Sequence, residues 1–199
     1  MRVVLFIILA YFMGSIPSGV WIGRYFKDID IREHGSKNPG TTNAYRVLGP
    51  KYGIMVLAAD VLKGFLPVAI ASISGVYGLP LIIVGITAII GHTLSCFLDF
   101  KGGKGVATSL GVFLYLIPLV TIVLMCIFAL IVYLTKYISL GSIICAILLP
   151  VLTLLFPIRA GIPRVPLVII TVCIGAFVVY KHRSNIERLK NGTENKFKP

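Results

Sequence analysis

The chain of 199 residues is 57% hydrophobic and only 13% charged, and it carries a formal net charge of +12. A soluble domain contains about 25% charged residues, so this composition excludes a soluble enzyme and a soluble basic domain that binds nucleic acid. Several continuous apolar stretches reach the roughly 20 residues that cross a bilayer, and their lack of alternation argues against a transmembrane β-barrel. We therefore predict an all-α, polytopic membrane protein that forms one integral domain over residues 1–199.

The first predicted span covers about residues 3–23 and contains the sequence Gly-Ser-Ile-Pro-Ser-Gly at positions 14–19. Small residues spaced four apart in this cluster favour close packing against another helix. Pro17 also weakens the helix and releases backbone groups. The segment therefore either packs tightly against a neighbouring span or lines a site.

The next two predicted spans, at about residues 52–72 and 79–98, carry polar side chains. Asp60 and Lys63 lie three apart and share one face of the second span. Charges inside a span are costly, so they indicate either a functional role or a structural ion pair. In the third span, His92 is more typical of a hydrogen bond between helices than of a catalytic residue.

Residues 106–135 are uncharged and are interrupted by Pro118, and they are too long for one span and short for two. Lysine and arginine prefer the cytoplasmic side. Two crossings that turn near Pro118 place fifteen of these bases on one face and three on the other. We therefore predict two short helices or a re-entrant pair here. With the last spans at about 137–156 and 166–180, the total is about seven, with the N-terminus outside and the C-terminus cytoplasmic.

The segment FKGGKGVAT at residues 100–108 joins two apolar stretches. Glycines let backbone N–H groups approach an anion, Lys104 adds positive charge, and a helix that starts near Val106 presents its N-terminus. The segment predicts either a phosphate or carboxylate site or simply a tight basic turn. It is not a nucleotide P-loop, because Lys104 is followed by Gly105 rather than by serine or threonine.

Three donor-rich segments, at residues 34–46, 100–108 and 182–194, share the predicted cytoplasmic face. They offer many hydrogen-bond donors and few carboxylates, which suits more than one phosphate: Ser36, Asn38, Thr41, Asn43, Arg46, Lys104, His182 and Asn185. Paired aspartates for Mg²⁺, zinc-binding motifs and a GxSxG serine are missing from the sequence. The pattern predicts a metal-free transfer between two anionic substrates, one of them a lipid. A membrane transporter for an organic phosphate is the alternative.

Five motifs in order along the chain resemble those of the bacterial acyl-phosphate:glycerol-3-phosphate acyltransferases: GSIPSG at 14–19, GSKNPGTTN at 35–43, DVLKG at 60–64, FKGGKGVAT at 100–108 and HRSNIERL at 182–189. The resemblance implies a seven-helix enzyme of the bacterial plasma membrane, with its active site facing the cytoplasm. Such an enzyme moves a fatty acyl group from acyl phosphate to the 1-hydroxyl of glycerol 3-phosphate. The products are lysophosphatidic acid and phosphate, in the first step of phospholipid synthesis.

The resemblance also implies that acyl-CoA, acyl carrier protein and other cofactors are not used directly. The expected partners are glycerol 3-phosphate, acyl phosphate and membrane lipid, and the synthase that makes acyl phosphate is a candidate protein partner; nucleic acid is not expected. One departure from the family pattern is Lys37, where many members have glycine. A lysine fits this position provided that it avoids the left-handed backbone conformation.

The site residues are assigned as hypotheses by chemical type. His182, Asn185 and Lys104 are the candidate catalytic residues, with His182 orienting the attacking hydroxyl or accepting its proton. The candidate substrate-binding residues are donors, charge clamps and glycines that allow close approach: Ser36, Asn38, Thr41, Asn43, Arg46, Gly102, Gly103 and Ser142. The acyl tail is expected between helices, beside the small residues of the first span.

Overall fold

The structure is a computed structural model that describes residues 2–197, and within them every regular element is helical. Ten α-helices and one short 3₁₀ turn (Cys96–Leu98) follow in chain order: α1 (Arg2–Ser15), α2 (Ser18–Lys27), α3 (Thr41–Leu48), α4 (Pro50–Ile73), α5 (Gly78–Thr93), α6 (Val106–Leu116), α7 (Pro118–Thr135), α8 (Ile138–Leu155), α9 (Arg164–Lys181) and α10 (Arg183–Lys190). The prediction of an all-α protein is confirmed. The helices form two compact units, here called the N-terminal unit, which ends at Tyr115, and the C-terminal unit, which begins at Leu116. The prediction of a single domain over the whole chain stays a prediction.

Among the described residues, five helical segments are long and apolar enough to cross a membrane: Pro50–Ile73, Gly78–Leu98, Pro118–Thr135, Ile138–Leu155 and Arg164–Lys181. The pair α1 and α2 becomes a sixth candidate if it is counted as one span bent by 43°. The remaining apolar helix, α6, has 11 residues and is therefore only about 16 Å long, roughly half of the hydrocarbon core. A total of about seven spans stays a prediction.

The first span is broken where Pro17 lies, between the end of α1 and the start of α2. Proline has no N–H to donate and its ring disfavours a continuing helix. The small residues on both sides of the break are covered by protein. A Cβ at Gly14 would meet the Ala88 backbone on α5, and a Cβ at Gly19 would meet the Pro39 carbonyl. Close helix packing is therefore confirmed, and the expectation of an acyl tail beside this face is wrong, because the face is filled.

Residues 106–135 fold as two helices with the break at Ile117, which confirms the prediction of a turn near Pro118. Pro118 occupies the first turn of α7, a position where its missing N–H costs nothing and its fixed φ suits a helix. The expectation that both helices are short holds only for α6. Helix α7 keeps 18 residues, because the proline starts it rather than interrupting it.

In the N-terminal unit, α6 packs against α4 through two glycines. A Cβ at Gly64 would lie 2.1 Å from the Thr108 carbonyl oxygen, and one at Gly111 would lie 2.0 Å from that of Val61. In the C-terminal unit, Gly175 on α9 gives similar access to the Ala146 carbonyl on α8. Contacts of this kind let helix backbones approach closely where apolar burial offers little driving force in lipid.

Candidate functional site

The donor-rich loop, residues 34–43, is built around the buried amide of Asn43, which is 1% exposed. Its Nδ2 donates to the carbonyl oxygens of Ile31 (2.8 Å) and His34 (3.1 Å), and its Oδ1 accepts from the backbone N–H of Ser36 (2.8 Å). Both ends of the amide are thus occupied by the loop itself. Asn43 shapes the loop, and it leaves Ser36 on the surface.

The remaining polar residues of this region flank the start of α3. Asn38 Oδ1 accepts from the N–H of Gly40 (3.0 Å), the residue that precedes the helix. This local hydrogen bond forms an Asx turn, which fixes the backbone just before the start of α3. The Thr41 hydroxyl, in the first turn of α3, donates to Asp60 Oδ2 on α4 (3.5 Å). Arg46 lies on the exposed side of α3, where its charge is open to solvent.

Two residues of the loop, on either side of Ser36, have left-handed backbone conformations: Gly35 (φ +59°) and Lys37 (φ +59°). Glycine is required at 35, because a Cβ there would lie 2.4 Å from Asn43 Oδ1. At 37 the condition set for a lysine, that it avoid the left-handed conformation, is not met. The loop is shaped by the bonds of Asn43, and Lys37 follows it at a cost of about 1–2 kcal/mol.

The start of the loop is fixed by a charged clamp on Asp30. Its carboxylate pairs with Arg32 (2.6 Å) and with Arg24 (2.9 Å). The hydrogen bond from Arg32 is the largest effect and, together with the Arg32 charge and the bond from Arg24, it holds the pKa of Asp30 well below its ordinary value, although burial opposes the shift. Asp30 in turn raises the pKa of Arg32, so both groups are ionised at neutral pH.

A tight turn at residues 98–101 leads into the glycine loop, residues 101–105. Asp99 (φ +49°) and Phe100 (φ +60°) are both left-handed, and the Lys101 N–H donates to the Leu98 carbonyl (2.9 Å). Two positive φ angles in succession define a type I′ turn, which ordinarily takes Asn-Gly. A phenylalanine at the second position is strained, so the turn is held by the bonds around it rather than by local preference.

The glycines that follow face α5. The N–H of Gly103 donates to the His92 carbonyl (3.1 Å), and that of Gly102 donates to the Thr93 carbonyl (3.1 Å). A Cβ at Gly103 would lie 2.2 Å from His92 Nε2, and one at Gly102 would lie 2.0 Å from the His92 carbonyl oxygen. These two N–H groups are therefore engaged within the protein. The glycines are needed for contact with His92, which local sequence could not indicate.

Lys104 follows these glycines and is half-buried, whereas Lys101 is exposed. Helix α6 starts two residues after Lys104, at Val106. The first N–H groups of a helix have no partner within it and favour a negative group. Lys104 and this helix start are the parts of the glycine loop suited to an anion.

The predicted charges of the second span form an ion pair. Lys63 Nζ lies 2.8 Å from Asp60 Oδ1, and both side chains are buried. The predicted helix-to-helix role of His92 is also consistent with its position, since its Nδ1 lies 3.9 Å from Asp60 Oδ1.

In the C-terminal unit, His182 ends α9 and precedes α10, and it is 4% exposed. Its Nδ1 lies 2.8 Å from the carbonyl oxygen of Val178. A carbonyl can only accept, so Nδ1 carries a proton and Nε2 is the acceptor nitrogen of the neutral ring. Asn185 is also buried, and Leu189 is half-buried, which confirms the predicted inner face of the tail helix.

Glu194 organises this part of the tail, and it was missed as a site residue. Its Oε1 accepts from Ser139 Oγ (2.7 Å) and Asn185 Nδ2 (2.7 Å), and its Oε2 accepts from Arg188 Nε (2.7 Å). Burial raises its pKa, but the hydrogen bonds from Ser139, Asn185 and Arg188 and the Arg188 charge outweigh burial, and the net pKa is lowered. The only sequence signal was that Glu194 is one of two carboxylates in a basic tail.

Ser142 lies one turn after Ser139 on α8 and is buried. Its hydroxyl donates to the Ile138 carbonyl of its own helix (3.0 Å). The oxygen of this hydroxyl can still accept, and rotation about Cβ would redirect its proton.

The structure thus divides the candidate residues between the two units. Those of the N-terminal unit are Ser36, Asn38, Thr41, Asn43, Arg46, Gly102, Gly103 and Lys104, and those of the C-terminal unit are Ser142, His182 and Asn185. In residues 2–197, no three His, Cys, Asp or Glu side chains are grouped so as to hold a metal ion. Each unit therefore contributes hydrogen-bond donors, and the three candidates of the C-terminal unit are buried.

Comparison with known proteins identifies the family. The family model for glycerol-3-phosphate acyltransferase matches residues 4–192. A glycerol-3-phosphate acyltransferase of Fusobacterium nucleatum subsp. nucleatum is 56% identical over 193 residues, 97% of each chain. One of Enterococcus faecalis is 44% identical over 200 residues, 98% of this chain and 92% of its own.

Two crystal structures of PlsY (YgiH), an integral membrane glycerol 3-phosphate acyltransferase, share the fold. The glycerol 3-phosphate form has a TM-score of 0.90 at 37% identity. The lysophosphatidic acid form has a TM-score of 0.87 at 38% identity, and each comparison covers 100% of this chain and 96% of the other. The chain is therefore a multi-pass membrane protein and belongs to the glycerol-3-phosphate acyltransferase family.

Proposed function

We propose that this protein transfers a fatty acyl group from acyl phosphate to the 1-hydroxyl of glycerol 3-phosphate, giving lysophosphatidic acid and phosphate. The observation that carries the proposal is family membership over residues 4–192. The two solved relatives, described as glycerol 3-phosphate and lysophosphatidic acid forms, support the acceptor and the product. The acyl-phosphate donor is supported by the motifs of the sequence and by a site made of hydrogen-bond donors.

In the proposed reaction, the oxygen of the 1-hydroxyl attacks the acyl carbonyl carbon. A new C–O bond forms, the bond from that carbon to the phosphate oxygen breaks, and phosphate leaves with the electron pair. The hydroxyl proton goes either to the departing phosphate or to His182. The contact of Nδ1 with Val178 makes Nε2 the nitrogen that accepts it. A proton acceptor held in position typically contributes about 10²–10⁴-fold to the rate.

The other residues bind and orient the anionic groups. Lys104 neutralises phosphate beside the start of α6, and Arg46 can grip two oxygens of one phosphate. Asn185 is held by Glu194 and orients an anionic group. Ser36, Asn38, Thr41 and Ser142 offer hydroxyl and amide groups, and Asn43, Gly102 and Gly103 maintain the shape of their loops. Positioning and electrostatic stabilisation carry the rate.

We place the active site on the cytoplasmic face of the bacterial plasma membrane, with the N-terminus outside. The excess of lysine and arginine in the donor-rich segments and the tail supports this orientation. The whole chain acts as one domain with about seven membrane segments, of which α6 is the short one. The enzyme that makes acyl phosphate is the proposed protein partner.

The test is an assay of purified protein with acyl phosphate and glycerol 3-phosphate in the presence of a metal chelator. We expect phosphate release that requires both substrates. Lys104→Ala should lower turnover by at least about 100-fold with normal expression, whereas Lys101→Ala, which removes an exposed base from the same loop, should stay within about threefold of the parent. Transport of glycerol 3-phosphate into vesicles without phosphate release would instead identify a carrier. Near-normal turnover of Lys104→Ala would overturn the central assignment.

A further inference from the structure

Helix α4 carries a buried charge pair that contacts the break in the first span. Asp60 and Lys63 are only 2% and 6% exposed. Besides its 2.8 Å contact with Asp60, Lys63 Nζ donates to the carbonyl oxygen of Ile16 (2.7 Å). Ile16 lies between α1 and α2, where Pro17 prevents a continuous helix. The carbonyl end of a helix favours a positive group, so the ammonium fixes the α1 end of the break.

The carboxylate of the same pair lies against the donor-rich loop and beside His92. Asp60 Oδ2 accepts from the Thr41 hydroxyl, where the donor-rich loop enters α3 (3.5 Å), and Asp60 Oδ1 lies 3.9 Å from His92 Nδ1. The carbonyl of His92 accepts from Gly103, and the His92 ring covers the face of that glycine. One carboxylate therefore links the donor-rich loop directly, and the glycine loop through His92.

The space beside this pair is too small for a substrate. A polar cavity lined by Ser15, Asp60, Lys63, His92 and Ser95 leaves about 10 Å³ for the centre of a water molecule. That is room for about one water. Ser15 Oγ is buried there and makes no hydrogen bond within residues 2–197. In this structure the pair therefore contacts its protein neighbours, and the cavity beside it leaves no room for a substrate group.

Stability alone does not account for this arrangement. Moving an ion from water into a protein interior costs several kcal/mol, and an apolar pair of similar volume is often as stable as a buried ion pair. Charges within a membrane segment are costly for the same reason. What an apolar pair cannot supply is hydrogen bonds to Ile16 and Thr41 and a charge beside His92, which lie in three separate segments.

We propose that Asp60 and Lys63 are positioning residues that set the placement of the donor-rich loop and the glycine loop relative to each other. The effect on catalysis rests on the proposed function, since these loops hold the candidate anion-binding groups. The placement itself is a property of the substrate-free protein and can be measured without any activity.

The first test is the double variant Asp60→Asn/Lys63→Met, which removes both charges and keeps the volume. We expect its thermal midpoint to stay within a few degrees of the parent, while kcat/KM for glycerol 3-phosphate falls by at least about 100-fold. Hydrogen exchange of residues 34–43 and 101–108 should become faster, whereas hydrogen exchange of α4 itself should change little. Activity within threefold of the parent, with unchanged exchange in both loops, would overturn the proposal.

Ser72→Ala is the matched control, because Ser72 is buried on the same helix at about 18 Å from Asp60 along the axis. It should leave activity and loop exchange unchanged. If the double variant does not fold, Asp60→Glu replaces it, since it keeps the charge and moves the carboxylate by one methylene. We expect a folded protein with kcat/KM lowered about tenfold, and parent-like kinetics and loop exchange would again overturn the proposal.

A double-mutant cycle separates positioning from substrate contact. If Thr41 acts through Asp60, Thr41→Val lowers kcat/KM in the parent and has little further effect in the Asp60→Asn/Lys63→Met background. Equal losses in both backgrounds would contradict a link through Asp60. A parent that is inactive with acyl phosphate and glycerol 3-phosphate would contradict the proposed function only, and loop exchange would then decide the positioning role.

Discussion

The donor-rich loop and the C-terminal tail are both polar segments held in place beside apolar helices, but the side chains that hold them differ in chemistry. Each is a polar segment beside apolar helices, and each is arranged by one side chain with three hydrogen bonds. In the loop that side chain is the neutral amide of Asn43, which both donates and accepts. In the tail it is the carboxylate of Glu194, which only accepts. The first arrangement depends on matching donors with acceptors, and the second depends on ionisation.

The largest expected effect comes from replacing the amide that holds the donor-rich loop with a carboxylate. Asn43→Asp keeps the shape but turns a carboxylate oxygen towards the carbonyls of Ile31 and His34, which have no proton to offer. Leaving a buried charge without a partner costs about 3–5 kcal/mol, so we expect a matching fall in stability and loss of activity. A denaturation curve in detergent measures the stability, and an activity assay of the same detergent-solubilised protein measures the loss of activity.

Asn38→Asp is the matched control for this change. Asn38 uses only its oxygen, which accepts from Gly40, and aspartate keeps that bond. Stability should change by less than about 0.5 kcal/mol. Equal destabilisation by the two variants would mean that added negative charge, rather than the loss of donors, explains the result.

The mirror change in the tail is Glu194→Gln, which keeps the shape and removes the charge. Hydrogen bonds to a charged group contribute about 1.5–3 kcal/mol each, and glutamine also turns an N–H₂ group towards a neighbour that donates. We expect residues 183–197 to exchange faster and turnover to fall about tenfold as Asn185 loses its partner. Glu187→Gln, at an exposed position of α10, should have neither effect. Similar losses in this variant would contradict the claim that Glu194 in particular organises the tail.

The tail should also respond to pH, because Glu194 ionises whereas Asn43 does not. The folded-state pKa of Glu194 lies below its ordinary 4.5, so its contribution is fully present above about pH 4.5 and is lost as pH falls through the lower folded pKa. Hydrogen exchange of residues 191–197, corrected for the intrinsic effect of pH, should rise in that range. Glu194→Gln should remove this dependence. If the hydrogen exchange of residues 191–197 in the parent does not change over this pH range, the role of the carboxylate is contradicted.

The smallest expected effect is a gain in stability within the loop. Lys37→Gly relieves a left-handed lysine and retains the fold, but glycine loses more entropy on folding. The net gain should be about 0.5–1 kcal/mol, or a rise of about 1–4 °C in Tm. Lys101→Gly, at an exposed lysine outside the left-handed region, should give no gain. A loss of stability at Lys37→Gly would show that the lysine side chain itself supports the loop.

Much of the fold follows from local signals in the sequence. Apolar length located the long helices, Pro17 and Pro118 located two breaks, and three/four spacing located the inner face of α10. These features depend on residues close together in the chain. The position of Glu194 did not follow, because its partner Ser139 is 55 residues away and no spacing rule connects them.

The glycine loop shows a second limit. Glycines beside lysines indicated a backbone open to an anion, yet the N–H groups of Gly102 and Gly103 bind carbonyls of α5. A glycine is favoured wherever something must come close, and sequence does not reveal what comes close. The same ambiguity applied to Gly14, whose small face is filled by α5 rather than by lipid.

His182 belongs to two helices of opposite character. It ends α9, which is almost wholly apolar, and it begins α10, which is charged. The change from apolar to charged sequence therefore falls at the residue proposed to receive the proton. The reacting carbonyl of an acyl phosphate is also the atom at which a hydrocarbon tail meets a phosphate. An amphiphile whose own polar boundary aligns with this change in the chain would bring its reactive carbon level with His182, so that partition between lipid and water would help to position the substrate.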